Sequence, residues 1–238
     1  MRILILGGTT EAASLARQLV GHDIITSLAG RTENPAALPG RVRVGGFGGV
    51  QGLAEYVRAE AIERVIDATH PFAARISANA AEACAAIGVP RLMLVRPAWP
   101  RRPDDLWHPV ATMDEAARRL PELGRRAFLT VGIGEMGAFA IVAGVHCVVR
   151  LIAPQPLPLS DYQVVAGKGP FDAAAELALL RQYRIDVVVT KESGGAATYG
   201  KIAAARELGL PVLMVSRPPV PEGEAVDSIK AAIRWIGP

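Results

Sequence analysis

What most constrains the fold of this 238-residue chain is a regular alternation of two hydrophobic patterns. Short, nearly continuous apolar runs stand at 2–6, 23–28, 42–45, 64–67 and 91–95, and again at 127–131, 145–151, 164–166, 186–190 and 212–215. Between them lie longer stretches of helical period, at 11–20, 50–60 and 72–87 in the first half and at 113–120, 171–182, 198–208 and 225–236 in the second. Strands buried on both faces read as unbroken apolar runs, and parallel neighbours need a crossover, usually a helix, between them. The pattern predicts an α/β protein of parallel, doubly wound sheets.

The sequence RPAWPRRPDDLWHP, at 96–109, breaks the alternation. Proline is excluded from helix interiors and central strands, so its recurrence here marks a boundary. The expected organisation is an N-terminal α/β domain over 1–97, a Pro-rich linker over 98–111 and a C-terminal α/β domain over 112–238. A shift that carries Pro97 onto Pro218 lays Gly88-Val89-Pro90-Arg91-Leu92-Met93-Leu94-Val95-Arg96-Pro97 ungapped on Gly209-Leu210-Pro211-Val212-Leu213-Met214-Val215-Ser216-Arg217-Pro218, and Thr69 on Thr190. Two lobes of the same grammar follow, either by duplication or because all such units share it. Ligands of open α/β sheets bind at the carboxyl ends of strands, so two Rossmann-like lobes with an interdomain cleft are expected.

Half of the residues are hydrophobic, ample for two cores. The formal charge of +3 comes from scattered arginines with only a short cluster at 96–102, which is no nucleic-acid stripe. Cys84 and Cys147 offer neither a metal pattern nor a disulfide framework and read as buried thiols, and no cluster suggests a metal. The apolar runs are too short for a membrane span, so the expectation is a cytoplasmic protein without membrane or nucleic-acid partners, a monomer or weak oligomer.

The first strand runs into Gly7-Gly8-Thr9-Thr10-Glu11 at a helix start. Glycines let backbone approach an anion and the helix's first amides attract it, so this turn is read as a phosphate cradle or, more plainly, as an N-capped strand-to-helix turn. The second strand ends near Arg31, where a guanidinium would favour the 2′-phosphate of NADP if a dinucleotide binds, or else is a solvated loop charge. Gly45-Gly46-Phe47-Gly48-Gly49 leaves room for a flat ligand or makes a tight turn. Asp67-Ala68-Thr69-His70-Pro71-Phe72 sets Thr69 and His70 on the rim, with Pro71 suited to the first turn of the next helix. His70 could give a proton or bond a carboxylate, or serve the structure alone.

In the second lobe, Thr190-Lys191-Glu192-Ser193-Gly194-Gly195 offers Lys191 to a substrate carboxylate and donors from Ser193 and Gly194, unless Lys191 and Glu192 merely solubilise a loop. Lys201, one to two turns into the following helix, is expected to face the same opening. No G-x-x-x-x-G-K-[ST] loop, Tyr-x-x-x-Lys pair or G-x-S-x-G elbow occurs, which removes the common ATP, short-chain dehydrogenase and serine hydrolase readings.

Taken together, Gly7-Gly8-Thr9-Thr10-Glu11-Ala12, Leu28-Ala29-Gly30-Arg31-Thr32, Ile66-Asp67-Ala68-Thr69-His70-Pro71-Phe72-Ala73 and Thr190-Lys191-Glu192-Ser193-Gly194-Gly195 resemble the precorrin-6A reductase family of cobalamin biosynthesis. The resemblance implies an oxidoreductase that uses NADPH to reduce one double bond of the precorrin-6A tetrapyrrole, giving precorrin-6B. It implies cofactor contacts from Gly7, Gly8, Thr9, Thr10, Glu11, Arg31 and Thr69, and substrate contacts from His70, Lys191, Glu192, Ser193, Gly194 and Lys201. His70 and Lys191 are the candidates for proton donation or substrate positioning. A two-lobed NADP(H)-binding sensor without turnover is the alternative.

Overall fold

The computed structural model describes residues 1–30 and 37–237, in two compact units: Met1–Pro97 with Pro218–Pro238, and Ala98–Arg217. In the first unit β1 (Arg2–Leu6), α1 (Thr10–Gln18), β2 (Asp23–Leu28), β3 (Arg41–Val44), α2 (Gly49–Ala59), β4 (Arg64–Asp67), α3 (Ala74–Ile87) and β5 (Arg91–Leu94) follow in turn. β1 lies between β2 and β4, with Leu4 level with Ile25 on one side and Val65 on the other. Strand alternation sends Ile3 and Ile5 into one helix-covered layer with Leu15 of α1 and its C-cap residue Leu19, and Leu4 and Leu6 into the other with Leu53 and Val57 of α2. Four consecutive residues of β1 are thus buried, each contributing roughly 1.5–3 kcal/mol of transfer free energy.

The second unit begins with β6 (Trp107–Val110) and continues through α4 (Met113–Leu123), β7 (Arg126–Leu129), a 3-10 helix over Ile133–Ile141, β8 (His146–Leu151), β9 (Tyr162–Ala166), α5 (Ala173–Gln182), β10 (Val187–Lys191), α6 (Gly200–Glu207) and β11 (Val212–Val215). Its six strands are parallel, in the order β6-β11-β10-β7-β8-β9. Phe128, Val148, Val188 and Met214 face Leu180, Ile202 and Ala205 in its core.

The chain then returns to the first unit as β12 (Glu224–Val226) and α7 (Ile229–Ile236). β12 pairs with β5, Ala225 level with Met93, and completes the order β12-β5-β4-β1-β2-β3. The two orders are the same if β6 takes the place of β12. In each case the chain leaves an Arg-Pro after the fifth strand of one unit and supplies the sixth, edge strand of the other: Arg96-Pro97 leads to β6 beside β11, Arg217-Pro218 to β12 beside β5. The incoming segments also match, Val110-Ala111-Thr112-Met113 against Val226-Asp227-Ser228-Ile229, with Thr112 and Ser228 as the N-cap residues of α4 and α7.

Three expectations are corrected. Residues 98–111 are not a free linker, because β6 lies within them; Pro109 is tolerated there since β6 is an edge strand, where a missing N–H interrupts no ladder. The same segment is fastened by buried Asp105, which accepts from Arg102 N at 2.7 Å and from Arg206 Nε at 2.9 Å. A second domain of 112–238 is not what forms, because Pro218–Pro238 packs in the first unit, where Ala232 and Ile236 are buried with Leu15 and Leu92. Finally, 225–236 is not one helix: its start is strand, and α7 begins at Ile229.

Candidate functional site

In both sheets the strand order reverses beside a central strand, between β1 and β4 in the first unit and between β7 and β10 in the second. Such switch points leave a crevice outside the carboxyl ends of the strands. The loops expected to carry function, after β1 and β4 and after β10, border these two places.

After β1, Gly7 N donates to Ser27 O at 2.9 Å, and a Cβ on Gly7 would lie 3.0 Å from Thr26 Cγ2, so glycine permits close packing there. Gly8 has φ +101°, which side-chain-bearing residues rarely adopt, and a Cβ on it would meet nothing within 4 Å. Thr9 caps α1: its Oγ1 accepts from Ala12 N at 3.1 Å and donates to Ala68 O at 2.7 Å, tying the loop after β1 to that after β4. Its hydroxyl is therefore committed to the loop. Thr10 Oγ1 donates to Glu11 Oε2 at 3.0 Å, and the same carboxylate oxygen receives Arg96 NH1 at 3.1 Å. What this turn offers a ligand is backbone: the glycine at Gly8 and the first-turn amides of α1, which no preceding helical turn can satisfy.

The loop after β3 is also uncrowded at its glycines. Gly45, Gly46, Gly48 and Gly49 each face space in which a Cβ would meet nothing within 4 Å. Arg43 braces it, stacking 3.8 Å from the Phe47 ring centroid and donating to Gly45 O at 2.5 Å and Gly46 O at 2.6 Å. Arg31 lies outside the described residues. An uncrowded glycine surface beside a helix N-terminus suits the diphosphate and flat rings of a dinucleotide, so the residues present fit such a group.

After β4, Asp67 is 1% exposed, and its Oδ1 accepts from both Thr69 N at 3.1 Å and Thr69 Oγ1 at 2.7 Å. Asp67 Oδ2 has no hydrogen-bond partner among the described residues. Thr69 Oγ1 also lies 3.3 Å from Ser77 Oγ, so this hydroxyl shapes the turn. His70 Nδ1 accepts from Phe72 N at 3.2 Å, which in the neutral ring leaves the proton on Nε2. That contact, with Ala73 N donating to His70 O at 2.7 Å, holds a turn through Pro71 and Phe72. Pro71 consequently stands before the helix and not in its first turn, since α3 starts at Ala74.

In the second unit Lys191 Nζ donates to Glu135 Oε1 at 2.7 Å, while Glu135 Oε2 accepts from Gly132 N at 2.6 Å. Lys191 thus pairs across the switch point with the start of the 3-10 helix. The loop beyond it is fixed through its backbone: Ser193 N donates to Lys191 O at 2.7 Å, and Arg217 reaches Glu192 O at 2.7 Å and Ser193 O at 3.2 Å. Gly194 and Gly195 take φ of +67° and +74°, and Trp99 Nε1 donates to Gly195 O at 2.7 Å. Lys201 departs from its expected place. Because α6 opens at Gly200, Lys201 is the second residue of the helix and only 5% exposed, with Nζ donating to Thr198 O at 2.8 Å and lying 5.0 Å from the Trp99 ring centroid. It fastens the helix start.

Glu135, Arg43, Arg96 and Arg217 are the residues the motifs did not single out. Only the paired Arg-Pro dipeptides carried a signal for two of them. Both cysteines are buried, and that burial pushes the Cys84 and Cys147 thiols up to about 11.

Two six-stranded parallel units, each with glycine and charge gathered at its switch point, define a two-unit Rossmann-like α/β protein. The chain belongs to the precorrin-6x reductase family CbiJ/CobK, which matches residues 2–237, a family of oxidoreductases of cobalamin biosynthesis. It is 48% identical over 241 residues to a precorrin-6A reductase of Rhodococcus erythropolis, covering 99% of this chain and 97% of that one. The cobalt-precorrin-6A reductase of Salmonella typhimurium is 31% identical, covering 98% of this chain and 96% of its own. A solved structure described as CobK precorrin-6A reductase matches with a TM-score of 0.94 at 42% identity, over 99% of this chain and 95% of that chain.

Proposed function

We propose that this chain reduces precorrin-6A to precorrin-6B with NADPH, in the cytoplasm, on the cobalt-free macrocycle. The observation that carries the reading is similarity along the full length, at 48% identity, to chains named precorrin-6A reductase, against 31% to one named for the cobalt-containing substrate. Two unpaired cysteines agree with a reducing compartment.

In this reading Gly8 and the first-turn amides of Thr10 and Glu11 hold the cofactor diphosphate, with Gly7 and Thr9 shaping the loop. Arg31 meets the 2′-phosphate, and Thr69 holds the rim next to the nicotinamide. NADPH, when bound, supplies the hydride; the protein's part is to orient the two rings and exclude water. His70, whose Nδ1 accepts from Phe72 N, offers the macrocycle a hydrogen bond from Nε2–H and positions it, the proton itself coming from another group or from solvent. Lys191 and the donors of Ser193 and Gly194 meet carboxylates of the macrocycle, Glu135 releasing Lys191 as a substrate carboxylate replaces it, with Glu192 lining the same loop. Lys201, buried under Trp99, supports that loop from behind.

The test is a reductase assay of purified protein with precorrin-6A and either NADPH or NADH. Loss of nicotinamide absorbance together with a change in the macrocycle spectrum, faster with NADPH, is expected. Tight NADPH binding without turnover would make the protein a sensor and end the catalytic reading.

A further inference from the structure

Glu11 stands where a cofactor diphosphate needs positive potential. Its carboxylate, a quarter exposed, is in the first turn of α1, within a turn of the Gly8 and Thr10 amides. For the helix alone an acid there is favourable, because it complements the dipole. For a diphosphate on the same amides it is a like charge at short range, in a partly buried setting where screening is weak. Arg96 removes this conflict. It leaves the end of β5, two strands from β1 in the sheet, and places NH1 3.1 Å from Glu11 Oε2 with its own side chain only 14% exposed.

The second unit contains the same device built from different strands. Glu135 follows the start of β7 at the interval by which Glu11 follows the start of β1, and is again a first-turn acid. Its cation is Lys191 from β10, whereas Arg217, the counterpart of Arg96 in the repeated Arg-Pro, holds the Glu192 and Ser193 carbonyls. The acid is thus met at both switch points, by whichever strand end supplies a base.

We infer that Arg96 is a positioning residue of the cofactor site: it neutralises Glu11 so that the first turn of α1 can accept the diphosphate. This rests on the proposed NADPH site at that turn. It differs from a mere clasp between β5 and α1 in one respect, since removing the acid should cure the loss of the base.

The experiment is a cycle of Arg96→Ala, Glu11→Gln and the double variant, with Kd for NADPH and NADH followed by nicotinamide fluorescence and the thermal midpoint of each cofactor-free protein measured alongside. Arg96→Ala should weaken both cofactors by about ten-fold or more, because the diphosphate is common to them. Glu11→Gln alone should tighten both cofactors, since it leaves Arg96 unopposed beside the diphosphate, and the double variant should return to within about three-fold of wild type. A double variant as weak as Arg96→Ala, or a loss confined to NADPH, would show Arg96 contacting the cofactor itself and overturn the inference. Should Arg96→Ala not fold, Arg96→Lys decides: retained charge should keep Kd within about three-fold, and a ten-fold loss refutes the idea. A wild-type protein that binds neither cofactor removes the NADPH reading first, and this inference with it.

Discussion

At His70 the backbone of the turn decides which ring nitrogen carries the proton. Nδ1 accepts from Phe72 N, so in the neutral ring Nε2–H is the donor His70 has to offer a macrocycle. Asparagine separates the two roles of this side chain, because its carbonyl can accept from the amide two residues on while its shorter amide group does not extend to where Nε2 lies. With His70→Asn, kcat should fall by about 100-fold and the thermal midpoint should stay near that of wild type. Undiminished turnover in that variant would reduce His70 to a turn-former. The two buried thiols bear on stability. Burial raises each to about 11, whereas an unfolded thiol ionises near 8.5. Below the unfolded value both states are protonated and the contribution is whole. From about pH 9 to pH 11 only the unfolded chain releases the protons, so stability falls, by about 2 kcal/mol for each thiol. Urea denaturation at pH 8 and pH 10 should show this decline, and Cys84→Ala with Cys147→Ala should flatten it; an unchanged slope would assign the decline to other groups.

At the scale of elements the edge strands and the helix after β12 are the informative pieces. α7 presents Ile229, Ala232, Ile233 and Ile236 at helical spacing to Leu15 and Leu92, so a helix at the chain's end supports the unit that holds the proposed cofactor turn. Ile236→Ala should therefore cost about 2–4 kcal/mol in urea denaturation. A cost below about 1 kcal/mol would mean that α7 is not part of that core. This placement was invisible in the sequence for a physical reason. Glu224–Val226 is three residues long and partly exposed, too little to register as an apolar run, and β6 carries a proline that reads as a break. The inner strands, buried on both faces, were legible nearly residue by residue; β1, through Ile3 to Leu6, and β11 needed only their unbroken apolar side chains. The functional loops were legible because glycine, threonine and histidine stand out at strand ends. Their partners were not, since Lys191–Glu135 and Arg96–Glu11 are pairings created by strand order, which the alternation of strands and helices does not disclose.

At the scale of the molecule the exchanged edge strands make the two units unequal in how they can fold. Ala98–Arg217 is one continuous stretch of chain with all six strands of its sheet, from β6 to β11. The first unit is divided, and 1–97 alone lacks β12 and α7, leaving the edge of β5 unpaired and Leu92 and Leu94 without Ala232 and Ile236. Residues 98–217 expressed alone should give a cooperative unfolding transition, whereas 1–97 alone should not. Joining Pro97 to residue 222 through about seven Gly and Ser residues should restore the first unit, because such a linker spans roughly 15 Å and β12 needs only to run beside the four residues of β5. The joined unit contains the whole proposed cofactor turn with Arg96, so it should also bind NADPH. Circular dichroism melts and nicotinamide fluorescence on the three proteins test this directly. Cooperative folding of 1–97 without the returning segment would show that the exchange is dispensable, while a joined unit that folds yet binds no NADPH would place the cofactor's main contacts outside this unit.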